Sequence, residues 1–145
     1  MAVSGKMYGN ALLKALNKEV DWDTDTIKVM LCTATYSPSQ DSHIYKSSVT
    51  NEVTGTGYTA GGATLGTKSI AYEGTTNVIT LDAADTSWSS STITARFAVI
   101  YDDAGATDAE KVLLGYVDFG EDKISSNGTF TIQWDAAGIF AITIA

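Results

Sequence analysis

The chain has 145 residues, enough for one domain with a sizeable core, and its 44% hydrophobic and 18% charged content is that of a folded chain rather than a disordered one. Its formal net charge of -8 argues against nucleic acid and against an anionic membrane surface, because both need clustered Lys and Arg. The single cysteine, Cys32, excludes an intrachain disulfide, so stability must come from the core or from partners. No apolar run approaches the ~20 residues that span a bilayer. MAVSGKMYGNALLKAL lacks a convincing secretory signal, so synthesis in the cytosol is expected.

Residues Met1 to Gly5 are small and read as a flexible arm. Over 6–18 the apolar residues Met7, Tyr8, Ala11, Leu12, Ala15 and Leu16 form one helical stripe, with Ser4 as N-cap and Asn17 at the stop. Everything from residue 26 onward reads as strand and turn. Ile27, Val29 and Leu31 alternate with Lys28, Met30 and Cys32, and both faces are apolar enough for a central strand. EGTTN, Glu73 to Asn77, links a strand through Ile70 and Tyr72 to one through Val78 and Leu81. Ile93, Ala95, Phe97, Val99 and Tyr101 share a face, as do Val112, Leu114 and Tyr116. Phe130, Ile132 and Trp134 oppose a wet side of Thr129, Thr131 and Gln133. Phe140, Ile142 and Ile144 align in the last strand. Asn127-Gly128 is the strongest hairpin signal. The pattern predicts a single mainly-β domain, an antiparallel, jelly-roll-like β-sandwich with one N-terminal helix.

Asn51 to Leu65, NEVTGTGYTAGGATL, has the glycine content of a phosphate loop but not its order. Gly55 and Gly57 match a dinucleotide fingerprint, the third position is Ala60, and no helix follows. A turn feeding a strand is the expectation. Asp21, Asp23 and Asp25 begin like a calcium loop, yet Thr26 and Cys32 stand where Gly and Glu are needed. His43 is the only histidine and sits in a polar segment, so it reads as a surface residue. Cys32, mid-strand, reads as a buried, inert thiol. Trp134 belongs to the core by alternation, whereas Trp88, among serines, is the best exposed anchor. No catalytic, cofactor or metal constellation emerges, and the residues read as a non-enzymatic binding or structural domain.

Several phrases together carry a resemblance: DWDTDTIKVMLCTATYSP, NEVTGTGYTAGGATL, TARFAVIYDD, LLGYVDFGED and NGTFTIQWDAAGIFAIT. The pattern resembles small virion structural proteins of tailed bacteriophages and prophages, over nearly the whole chain. That resemblance implies a capsid decoration (cement) or head-fibre-like protein on the virion surface. Its partner would be the major capsid protein, and it would be a homo-oligomer, with a trimer favoured. The alternative is a tail-associated or receptor- or carbohydrate-binding module of the virion. The expected interaction surface comprises Tyr45, Thr54, Gly55, Thr56, Gly57, Tyr58 and Trp88.

Overall fold

The structure is a computed structural model that describes residues 2–145. Among these residues the elements run β1 (Ser4–Met7), α1 (Ala11–Leu16), β2 (Ile27–Cys32), β3 (Ala63–Thr64), β4 (Ser69–Glu73), β5 (Val78–Asp82), β6 (Thr86–Asp102), β7 (Leu113–Ile132) and β8 (Phe140–Thr143). The chain is thus mainly β, with antiparallel sheets and one short helix. One sheet has the order β1-β7-β6-β2-β3 and the other β4-β5-β8. No described helix is long and apolar enough to cross a membrane.

The helix expected over 6–18 shrinks to Ala11–Leu16, capped by Asn10 without a side-chain bond and ending at Asn17. Ser4, Gly5, Lys6 and Met7 instead pair with Asp118, Val117, Tyr116 and Gly115 of β7. Tertiary pairing satisfies these backbone groups, and Tyr8 N–H continues the bonding onto Leu114 O. The expected arm is therefore tied down from Ser4; Met1 lies outside the described residues. Of the predicted stripe, Tyr8 and Ala11 are buried, whereas Leu12 and Leu16 are exposed.

Strand β2 is central and dry on both faces, as its composition predicts. Ile27, Val29 and Leu31 enter one core cluster; Met30 and Cys32 enter a second with Tyr8, Tyr36, Phe97, Val99, Tyr101 and Leu113. Each fully buried aliphatic side chain contributes about 1.5–3 kcal/mol. The β4–β5 hairpin forms around EGTTN as predicted, with Asn77 at φ 57°.

Asn127-Gly128 does not make a hairpin. The 20-residue β7 runs straight through it, opposite β6, with Gly128 facing Ser91 and Asn127 donating to Thr92 Oγ1. A 17-residue partner strand already present outcompetes the local turn, and the positive φ of Asn127 and Ser90 becomes a pair of irregularities in the ladder. Further along, Phe119–Asp122 bulge out between the pairs Ala95–Lys123 and Phe97–Asp118. The bulge splits the face predicted for β6: Ile93 and Ala95 join the first cluster, while Phe97, Val99 and Tyr101 join the second. A shift at Tyr101 likewise separates Leu114, in the first cluster, from Tyr116, which packs on the second.

Candidate functional site

The glycine-rich loop lies on its own sheet. Thr92 N–H donates to Thr56 O at 2.9 Å, so the loop is laced to β6. A Cβ on Gly55 would stand 2.3 Å from Thr92 O, and one on Gly62 would stand 1.9 Å from Val29 O. Gly62 also has φ +81°, which side-chain-bearing residues rarely adopt. The glycines therefore serve close approach to β6 and β2 within the chain.

This placement changes the predicted interaction surface. Trp88 is not an exposed anchor. It is buried, edge-on to Phe130 at 6.0 Å and 5.9 Å from the Tyr58 ring. Pairing with Phe130 across the β6–β7 ladder turns it inward, a consequence that the flanking serines do not reveal. Tyr58 is partly buried against the same core. Its hydroxyl donates to Glu52 Oε1 at 2.7 Å and accepts from Leu31 N–H at 2.9 Å. Burial pushes that hydroxyl's pKa well up. Glu52 Oε1 also accepts from Gly61 N–H, so Tyr58 and Glu52 form an internal clamp on the loop. Thr54, Gly55, Thr56 and Gly57 remain exposed. Tyr45 has other surroundings: it bridges to Val112, its hydroxyl donates to Glu19, and Lys14 lies over its ring at 5.1 Å.

His43 is half-buried rather than a free surface residue. Its Nδ1 lies 3.1 Å from the Tyr36 hydroxyl, which is 2.9 Å from the buried Tyr8 hydroxyl, and its ring stacks on Tyr36. Sequence separation hides this Tyr8–Tyr36–His43 chain. Cys32 is fully buried, and burial, with a lesser contribution from Glu52, pushes its thiol up to about 12; a thiolate is thereby disfavoured.

The aspartate run forms a turn. Asp21 Oδ1 accepts from the N–H groups of Asp23 and Thr24, and Asp25 Oδ2 accepts from Asp21 N–H. Lys68 Nζ donates to the backbone carbonyls of Trp22 and Asp25, and the Asp21 and Asp25 carboxylates are occupied by backbone N–H groups. Among the described residues no group of three or more His, Cys, Asp or Glu side chains is arranged to hold a metal. Asp102 is buried behind this turn. Burial pushes its carboxyl up to about 7; the Ala104 N–H opposes that rise and the neighbouring Asp25 carboxyl reinforces it. Its Oδ1 accepts from Ala104 N–H, and its Oδ2 has no partner among the described residues.

Two open surfaces stand out. In the smaller sheet, register places Ile70, Leu81 and Phe140 in one row and Tyr72, Ile79 and Ile142 in another on the same face. Leu81 and Phe140 close on the core, but Ile70 is 44% and Tyr72 59% exposed. The second surface is a groove of about 720 Å³ along β7, between β1 and the turn before β8. The alternation in SIAYE, VITLD and FAIT contains the first surface; the second has no signature in local sequence. No family, curated protein or solved structure compared with the chain matches it.

Proposed function

We propose that this chain is a non-enzymatic virion structural protein, a decoration protein seated on the outside of a tailed-phage capsid shell. The observation that carries this reading is the apolar face of the β4–β5–β8 sheet. It has three strands in unbroken register, yet Ile70 and Tyr72 face solvent. Large apolar groups held rigidly in the open are what a protein-binding surface requires. The resemblance read from the sequence supplies the partner, the major capsid protein, and the net charge of -8 suits basic patches on a shell. We read the two sheets as layers of a jelly-roll-like sandwich, supported by Phe140 of the smaller sheet sharing a core cluster with Val29, Ile100 and Leu114 of the larger one. The working unit is a cyclic homo-oligomer, a trimer on a local three-fold axis of the shell.

The alternative, a tail-associated module that stacks sugars on aromatic side chains, loses support because Trp88 is buried and Tyr58 is engaged with Glu52 and Leu31. Cryo-electron microscopy of whole particles tests the assignment. Density that repeats with the capsid lattice is the expected result. Density confined to the tail overturns it. A protein that binds only the assembled shell also stabilises it by mass action, so decorated heads should survive heating that opens bare ones.

A further inference from the structure

Strand β1 covers only part of its neighbour. Its four residues pair with Gly115–Asp118, and among the described residues no strand lies outside Phe119–Ile132 of β7. That edge borders the 720 Å³ groove, whose lining includes the consecutive residues Thr129 to Trp134. Successive side chains of a strand point to opposite faces, so a consecutive run lines a groove only where the groove follows the backbone edge. Unpaired N–H and C=O groups along such an edge form a template for another strand.

Bulges at Phe119–Asp122 and at Asn127 interrupt this edge, and they leave Thr129–Ile132 as its regular open stretch. Phe119–Ile132 has no proline and one lysine, Lys123, which is held by Glu121 at 2.6 Å. Ile124 is 69% exposed and lines the groove, as does Val3, which is 61% exposed. Trp134 is another wall residue of the groove.

We infer that the outer edge of β7 accepts an extended strand from a second protein, with alternating apolar and basic side chains. Charge complementarity selects that occupant. Asp135 and Lys123 line the groove, and Glu121, which is paired with Lys123, and Asp122 are exposed in the residues just before Lys123; three acids against one lysine leave this surface net negative. A second copy of this chain, itself at -8, is the less favoured occupant because like charges oppose it. The apolar alternate residues of the incoming strand would meet Val117, Phe119 and Ile139, while its backbone extends the sheet. The inference goes beyond the shell reading, because it specifies a mode of attachment for any partner that offers such a strand.

The test uses the full chain, isotopically labelled, and a blocked peptide of about nine residues in which Val or Ile alternates with Lys or Thr. A twin peptide carries Glu in place of Lys. The expected result is saturable binding with slowed amide exchange at Thr129–Ile132 and an affinity for the lysine peptide about tenfold above that for its twin at low salt. The double variant E121K/D122K, at exposed positions, should reverse that preference and leave the melting temperature unchanged. Protection at another edge, equal affinity for the two peptides, or no binding at millimolar peptide overturns the inference. So does an apolar dye that fills the groove while the peptide does not compete for it.

Discussion

The β6–β7 ladder and the β4–β5–β8 sheet solve opposite problems. The first is long and irregular, with four register shifts, yet it buries every residue from Phe97 to Asp102. The second pairs without a shift, and all five residues of β4 are exposed. Regular pairing and deep burial are therefore separate properties. Bulges let a long twisted strand change which side chains it presents and so fill two core clusters. The short regular sheet closes on the core at Leu81 and Phe140 but leaves Ile70 and Tyr72 of its edge strand outside it, which suits contact with something outside the chain.

The difference can be tested by substitution. Ile100→Ala in β6, at a position with no exposure, should cost about 2–5 kcal/mol through lost burial and a cavity, read as a drop in the denaturation midpoint. Gly62→Ala should cost roughly 1–3 kcal/mol or more, because φ +81° and the approach to Val29 O both resist a side chain. A midpoint shift below the error of measurement would show that the loop does not need its close contact with β2.

Asp102→Asn tests the buried carboxyl behind the Asp21–Asp25 turn. Its folded pKa, raised to about 7 from 3.8, keeps a proton that the unfolded chain has already lost. That contribution is full below about pH 4 and is lost as pH rises through about 7. The variant should therefore flatten the decline across that window and be more stable than the parent above pH 7, by on the order of 1–2 kcal/mol. Asp118, held low by Arg96, works in the other direction and favours the fold above its unfolded pKa. Urea titrations at several pH values would separate the two. The smallest effect on stability is expected at the open sheet: Tyr72→Ser should shift it by only about 0.5 kcal/mol. The same change should weaken attachment to shells, measured by co-sedimentation. Unaltered attachment would remove this face from the proposed contact.

Alternation made β2, β4, β5 and β8 readable, because in each the side-chain period of two survives from end to end. The same reading misplaced part of β6 and β7, where bulges change the period midway. Lys6 and Met7 fit a helical stripe equally well until β7 supplies backbone partners. Of the expected interaction surface, Thr54 to Gly57 are exposed, whereas Trp88 is not: its serine neighbours Ser87 and Ser89 are exposed while its own side chain faces Phe130.

The sequence by itself determined the class: a mainly-β chain with a short N-terminal helix, one buried thiol and a central apolar strand. These follow from composition and short-range periodicity, which act through residues only a few positions apart. Tertiary structure alone decided that Asn127-Gly128 would be a bulge, that Trp88 would turn inward and that Lys68 would bond the backbone carbonyls of the aspartate turn. It also left the outer edge of β7 open. Each of these depends on what a distant segment places opposite, and pairing energies between remote strands exceed the local preferences that a sequence displays.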